Sequence, residues 1–330
     1  MEGQERQKAE VQSEPELLYH YTTQEGLLGI IEKKHIWATH LRYLNDTSEG
    51  KIVPQVILNE LNSRLNSDAM MQLFGMQPVE HSGKIICEDE EIHSQGIAMS
   101  SWVTSQDVYV TSFSKEGNLL SQWRAYSGES VGYSIGFSSN YLRAIGEHFL
   151  QDNPGRFYSD LNGLNRCHYF EKKEEASLKK EIEDIVSSYI AEASAKKQSI
   201  PEIEVSRRGI EGFYTPGAIA LKYFLPLGTR SAITKDAAFY EEAEWRLAFH
   251  VDTNQIQRHS DIKFRTGRSG PVPYLEVPLI LKDEFIGIRK IIVGPCQHPD
   301  EAVNSVKMLL EREGFKCIEV VPSRIPYRNK

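Results

Sequence analysis

The sequence lacks any long apolar run. No stretch of about 18 consecutive apolar residues occurs, so no membrane-spanning helix is predicted. The N-terminal residues 1–15 are polar and charged, and they lack the apolar core of a secretory signal. We therefore expect residues 1–15 to form a disordered polar tail, and we expect the protein to be cytoplasmic.

Cysteine is scarce, and the spacing of the cysteines does not match that of a metal site. The four cysteines form no C-x-x-C pair and show no metal-like spacing; they are Cys87, Cys167, Cys296 and Cys317. Isolated cysteines in a chain of this size are typical of reduced thiols in a reducing compartment. The sequence thus predicts neither a disulfide framework nor a metal site.

Several common fingerprints of nucleotide and metal chemistry are also missing. G-x-G-x-x-G, the Walker loop, H-E-x-x-H and G-x-S-x-G do not occur, although a Ser-His-Asp triad without the last motif stays open. Positive charge is in deficit too, with a formal net charge of -8. Because phosphate contacts need a basic surface, this argues against a general nucleic-acid binder but leaves a local basic groove open.

The chain is organised around the stretch 108–137, VYVTSFSKEGNLLSQWRAYSGESVGYSIGF. Its β-branched and aromatic start predicts a strand at 108–111. Residues 119–126 predict a short helix, and residues 131–137 a second strand. Strand, hydroxyl-rich turn and helix together indicate a ligand-binding corner.

Arg124 is the residue of this corner best suited to an anion. A guanidinium pairs with phosphate or carboxylate through a planar fork, and aromatic side chains can stack on a ring. We expect Arg124, with Ser112, Ser114 and Ser121, to suit a diphosphate, and Tyr126 to stack on the ligand. The alternative is that Trp123 and Tyr126 belong to the core and that Arg124 is a structural ion-pair partner.

Helical and extended patterns alternate along the chain. Residues 17–22 predict a strand, 24–34 a helix, 35–39 a strand and 286–321 a β-α-β unit. The sequence therefore predicts an α+β fold with a mixed central β-sheet and helices packed on it.

We expect one α+β domain over residues 16–330, with a helical insertion at about 139–228. The polar segment 78–106 has no clear period and is interpreted as a mobile lid or a long insertion.

Two further groups could carry chemistry. His20 lies in an H-Y-T triplet at a strand end, where it could bond a ribose hydroxyl, although a lone histidine is more often structural. Glu242 and Glu244 are two residues apart, so in a strand both carboxylates would face one cleft. Paired carboxylates can stabilise a developing positive charge. The alternative is that both glutamates are ordinary surface acids.

Six blocks, in this order, resemble a bacterial family of domains of unknown function. They are Y-H-Y-T at 19–22, L-R-Y-L-N-D-T-S-E at 41–49, S-F-S at 112–114, L-L-S-Q-W-R-A-Y at 119–126, E-E-A-E-W-R at 241–246 and I-P-Y-R at 325–328. That family brings little established function.

The opening H-x-T strand, helix and second strand also resemble ADP-ribosyltransferases of the histidine-tyrosine-glutamate type. This resemblance implies an ADP-ribosyltransferase-like core with NAD as substrate. His20 and Thr22 match its first motif and Glu244 its last, while Glu242 resembles the E-x-E pair of the arginine-serine-glutamate type. The residues it assigns to NAD binding are His20, Tyr21, Thr22, Ser112, Ser114, Ser121, Arg124 and Tyr126. The C-terminal β-α-β unit is not expected of a minimal transferase.

The leading hypothesis is an NAD-dependent enzyme that cleaves the nicotinamide–ribose bond and transfers ADP-ribose to an unknown protein or nucleic-acid acceptor. One alternative is a non-catalytic module that binds a nucleotide or a partner, in the setting of phage defence. Another is a hydrolase or nuclease using Glu242, Glu244 and a histidine, which a metal on these glutamates and Asp46 would favour. His20, Tyr126 and Glu244 should line one cleft if the first hypothesis is right.

Overall fold

The computed structural model describes most of the chain. The described residues are 14–44, 50, 51, 53, 56, 59, 107–127, 130–153, 157, 158, 163–199, 223, 227, 230–251, 260–267, 270–281 and 287–326. The predicted lid at 78–106, the residue Asp46 and nearly all of the predicted tail lie outside these ranges.

The described part of the chain contains strands and α-helices interspersed in sequence. The strands are β1 (Leu17–Thr22), β2 (His35–His40), β3 (Asp107–Ser114), β4 (Tyr133–Ser138), β5 (Phe157–Tyr158), β6 (Leu164–Arg166), β7 (His168–Phe170), β8 (Thr234–Asp236), β9 (Glu244–Val251), β10 (Lys263–Gly267), β11 (Gly270–Pro278), β12 (Ile288–Val293) and β13 (Glu319–Pro322). The α-helices are α1 (Gln24–Lys33), α2 (Leu120–Tyr126), α3 (Ser139–Asp152), α4 (Glu175–Ser199) and α5 (Pro299–Arg312), and 3-10 turns cover Leu41–Tyr43, Lys172–Glu174 and Ala237–Glu242.

A mixed sheet of 11 strands dominates the described part of the chain, in the order β10-β11-β2-β3-β1-β4-β12-β13 with β9, β5 and β6 branching from β3. Its neighbours pair antiparallel except β12 and β13, which are parallel. β7 and β8 form a separate two-stranded parallel pair. The predicted α+β class with a mixed central sheet is confirmed.

The predicted β-α-β unit near the C-terminus is also confirmed, as β12, α5 and β13. The helix begins at Pro299, because proline suits the first helical turn. It ends at Arg312, and Gly314 follows with a φ of +79° that glycine adopts without strain.

The segment predicted as a helical insertion contains α3 and α4, with three short strands between them. Two of those strands, β5 and β6, pair with β9 and so belong to the main sheet. The division of the chain into domains stays a prediction.

The largest apolar core lies where helices cover the sheet. Leu27, Ile30 and Ile31 of α1 are buried there, as are Leu142 and Ile145 of α3. In the ranges described, no helix has the length and apolar character that crossing a membrane requires.

Candidate functional site

The candidate site lies where three adjacent strands stand side by side. β3 has β9 on one side and β1 on the other. In the register of these strands, Tyr19 is opposite Ser114, and Ser114 is opposite Glu244. β1 and β3 pair at that one position, while β2 pairs with β3 at Tyr109 and Val110, which leaves an opening in the sheet between the two pairings.

A cavity of about 50 Å³ occupies this opening. His20, Tyr126 and Glu244 all line it, so the structure brings together the three residues that the sequence hypothesis requires in one cleft. The complete lining is Tyr19, His20, Tyr21, Ser112, Phe113, Ser114, Gln122, Tyr126, Glu242 and Glu244.

His20 is held in one orientation. Its Nδ1 lies 2.9 Å from the carbonyl oxygen of Ser112, and since a carbonyl only accepts, Nδ1 carries the proton. Burial lowers the pKa of His20, and the bond to Ser112 opposes that shift. The imidazole is therefore neutral near pH 7, and its Nε2 is an acceptor.

The Glu244 carboxylate is bound at both oxygens. Lys235 Nζ lies 2.6 Å from Oε2, and Arg246 Nε lies 2.7 Å from Oε1. All three side chains are buried. Burial by itself raises the pKa of Glu244, but Arg246 and then Lys235 more than offset it and bring the pKa to about 2. The carboxylate is therefore ionised at neutral pH.

Glu242 reaches the same lysine from a different backbone geometry. It ends a 3-10 turn, and Ala243 has a φ of +43° before β9 begins at Glu244. The two glutamates are thus not neighbours in one strand, as the alternation argument assumed. Their carboxylates converge because Lys235 Nζ also lies 2.6 Å from Glu242 Oε2.

The backbone around the glutamates is fixed from two sides. The Ser114 hydroxyl donates to the Glu242 carbonyl at 2.7 Å and accepts from the Glu116 amide at 3.0 Å. The Glu244 amide donates to the Tyr169 hydroxyl at 2.6 Å. Ser114 is thereby engaged in holding the site.

Helix α2 forms one wall of the cavity with Gln122 and Tyr126, which are four residues apart and share a face. Arg124 is on the other side of the helix, exposed and outside the cavity lining. The Ser121 hydroxyl is buried without a hydrogen-bond partner among the described residues, and it also lies outside the lining. The predicted diphosphate contacts of Ser121 and Arg124 stay predictions.

Tyr21 anchors the start of α2. Its hydroxyl donates to the Glu116 carbonyl at 2.8 Å and accepts from the Leu119 amide at 2.9 Å. Its ring meets Trp123 edge-on, with centroids 4.9 Å apart. Trp123 is 1% exposed, so the core alternative holds for this aromatic.

A second cavity, of about 140 Å³, is also lined by His20. Thr22 lines this one and not the first. Its other walls come from α1 and from Trp37 of β2, and Gly29 leaves open space on the helix face. His20 thus lines both cavities.

Sequence reasoning missed Lys235, Tyr169 and Gln122. Gln122 could have been found, because it is one helical turn before Tyr126. Lys235 and Tyr169 lie on β8 and β7, three-residue strands whose pairing is not visible in the sequence. Within the described ranges, no group of three metal-binding side chains occurs, and Asp46 lies outside them.

Comparison with known proteins gives one structural likeness and one family. A solved structure of Thermus sp. 2.9 DarT in complex with NAD+ is similar at 11% identity and a TM-score of 0.30, covering 96% of this chain and 99% of that chain. No conclusion rests on a likeness that weak. No curated protein matches the chain. Residues 122–247 match the family described as Protein of unknown function (DUF2971), which confirms the resemblance to a family of domains of unknown function.

Proposed function

We propose that the chain binds NAD around His20, cleaves the nicotinamide–ribose bond and transfers ADP-ribose to an acceptor. The observation that carries the proposal is the convergence of His20, Tyr126 and Glu244 on one cavity. These side chains come from β1, α2 and β9, distant in sequence and joined by the opening beside β3. Each has a distinct part in the reaction.

Glu244 stabilises the positive charge that develops on the ribose. When nicotinamide leaves with the electron pair of the C–N bond, the ribose is left with oxocarbenium character. A carboxylate that is already ionised and fixed in a buried site stabilises this charge without reorganising. Arg246 and Lys235 take one bond at each oxygen of Glu244, and each oxygen keeps a second lone-pair site for a ribose hydroxyl.

His20 and Tyr126 supply orientation. The neutral His20 offers Nε2 to a ribose hydroxyl, while Tyr126 offers an aromatic face to the nicotinamide ring. The cavity at Glu244 has space for only a few water molecules, so the half-buried Tyr126 side chain must swing aside to admit a ring.

The second cavity suits the other end of a dinucleotide. It shares His20 with the first, and Trp37 gives it an aromatic wall that is 39% exposed. A molecule with a ring at each end can therefore cross His20 with one end in each cavity. Thr22, which the family resemblance assigns to NAD, lies on this side.

The acceptor must be a nucleophilic oxygen or nitrogen that attacks the ribose carbon and gives up a proton. Glu242 is the group placed to take that proton, because it lines the cavity and its side chain is 25% exposed. Protein and nucleic-acid groups both satisfy this chemistry, so the acceptor class is left to experiment.

A second candidate is a non-catalytic module that binds a nucleotide. The observation favouring it is the double ion pairing of Glu244, since such pairing can also serve folding alone. This candidate predicts binding of NAD without nicotinamide release.

The test is incubation of the purified protein with NAD while free nicotinamide is measured, with and without candidate protein and nucleic-acid acceptors. We expect release by the wild type and loss of at least about a hundredfold in Glu244→Gln, the size of one transition-state electrostatic contact. Glu276→Gln on β11, outside the cavity, is the matched control and keeps the wild-type rate. Calorimetric binding without release would support the second candidate, and absence of binding would contradict both.

A further inference from the structure

Lys235 is a buried cation shared by two carboxylates. It is 4% exposed, and its Nζ lies 2.6 Å from Oε2 of Glu242 and 2.6 Å from Oε2 of Glu244. The ammonium also lies 5.0 Å from the centroid of the Phe239 ring. Burying a lysine is costly unless it is paired, so this arrangement has a definite role in the fold or in the site.

Arg246 is a second buried cation beside Glu244. Arg246 directs Nε to Glu244 and one terminal nitrogen to the Ala232 carbonyl, 2.7 Å away. It therefore holds Glu244 from the β9 side. Lys235 contacts both Glu242 and Glu244 and so links their carboxylates.

We propose that Lys235 is a positioning residue, whose ammonium holds the carboxylates of Glu242 and Glu244 as one oriented pair at the cavity. This inference rests on the proposed function, in which Glu244 stabilises the ribose cation and Glu242 takes the acceptor proton. Lys235 acts through these two side chains and is not among the residues lining the cavity.

The consequence for pH dependence follows from the charges around the pair. With Lys235 present, two carboxylates face two cations; without it, they share one, and like charges at close range cannot both stay ionised. The protonation of the pair would then move to higher pH. Among the described residues, the other titratable groups around the cluster include Arg246 of β9, Tyr169 of β7 and Cys167, whose amide donates to the Glu244 carbonyl. Across the cavity they include Tyr126 of α2 and Tyr19, His20 and Tyr21 of β1.

The experiment compares Lys235→Met and Lys235→Arg with the wild type in nicotinamide release across a pH series. We expect Lys235→Met to lower kcat at least about tenfold, with KM for NAD changed less than about twofold, because the loss is confined to the transition state. We also expect the acidic limb of the pH–rate profile of Lys235→Met to move up by about one pH unit, and we expect Lys235→Arg to have the wild-type limb. Lys263→Met, which removes an exposed ion pair with Glu276, is the matched control and keeps the wild-type profile.

An unchanged acidic limb in folded Lys235→Met would overturn the inference, and so would a purely KM effect. If Lys235→Met does not fold, the ¹⁵Nζ resonance of Lys235 in Glu242→Gln and in Glu244→Gln decides the matter. We expect the Lys235 resonance to shift in each variant. A resonance that stays at its wild-type position in either variant would contradict the sharing of Lys235 by the two carboxylates.

A carboxyl titration without NAD separates the two proposals. If the wild type releases no nicotinamide, the proposed function fails. The Glu244 carboxyl followed by ¹³C NMR then still reports whether Lys235→Met raises its titration by about one pH unit, as the pairing requires. No rise would overturn the role of Lys235 independently of any activity.

Discussion

Lys235 Nζ lies 2.6 Å from Oε2 of Glu244, and the two residues are only 4% and 5% exposed. A buried ion pair is expensive to form, because both charges lose their hydration. It is also expensive to break, because the surviving charge is left buried without its partner. If the proposed function is correct, stability and chemistry thus depend on the same contact.

The first prediction is that Lys235→Met lowers the free energy of unfolding by about 3 to 5 kcal/mol, the range for removing one partner of a buried pair. Urea unfolding at pH 7.5 measures it. The control Lys263→Met removes a pair whose lysine is 52% exposed, and should change the free energy by no more than about 1 kcal/mol. Equal effects of the two substitutions would show that the buried Lys235 pair contributes no more to the free energy of unfolding than an exposed ion pair.

The second prediction is that the free energy of unfolding decreases at acidic pH. Burial lowers the pKa of His250 to about 4 from its ordinary value of 6.5, and burial also lowers that of His20. Folded states that keep histidine neutral bind fewer protons than the unfolded chain, so stability is full above pH 6.5 and falls as the pH drops toward 4. Glu244 adds a further loss between pH 4.5 and about 2 as its carboxylate is protonated.

Unfolding free energies measured across this pH range test that account. In His250→Leu, the decline between pH 6.5 and 4 should become shallower, leaving the part due to His20. A decline of unchanged slope would mean that His250 is not the titrating group.

The third prediction is that Tyr21→Phe costs about 1 to 3 kcal/mol, because it leaves the Glu116 carbonyl and the Leu119 amide without their shared partner. Because these groups lead into α2, nicotinamide release should fall as well. Tyr240→Phe, at a residue that is 72% exposed, is the control and should stay within about 0.5 kcal/mol of the wild type. Thermal and urea unfolding of both variants measure the difference.

The fourth prediction separates two residues of α2. Tyr126 lines the cavity and Arg124 does not, so Tyr126→Ala should weaken NAD binding by about tenfold and Arg124→Ala by less. Calorimetry on both variants gives the comparison. The reverse order would return Arg124 to the diphosphate role that the sequence suggested.

The sequence predicts the order of the main elements because their signals are local. The strand at Leu17–Thr22, the helix at Gln24–Lys33 and the β-α-β unit all follow from short-range periodicity and capping. Glu244 and His20 stand out in the sequence by their place in recognisable blocks. Their meeting at one cavity depends on β1 and β9 flanking β3, which no local pattern shows.

Lys235 could not be found from the sequence for a different reason. A lysine among charged residues is typically solvated, whereas this one lies on β8, which pairs with β7, and is buried. Helical periodicity, by contrast, could have placed Arg124 opposite Gln122 and Tyr126. The strand-alternation argument for Glu242 and Glu244 is wrong, because Ala243 adopts a left-handed conformation between them.

The most direct measurement is the structure of Glu244→Gln crystallised with NAD, since this variant should bind the dinucleotide without consuming it. The account predicts the nicotinamide ring beside Tyr126, a ribose hydroxyl within hydrogen-bond distance of His20 Nε2, and the other end of the molecule toward Trp37. NAD bound elsewhere, or absent at saturating concentration from a correctly folded variant, would contradict the central claim.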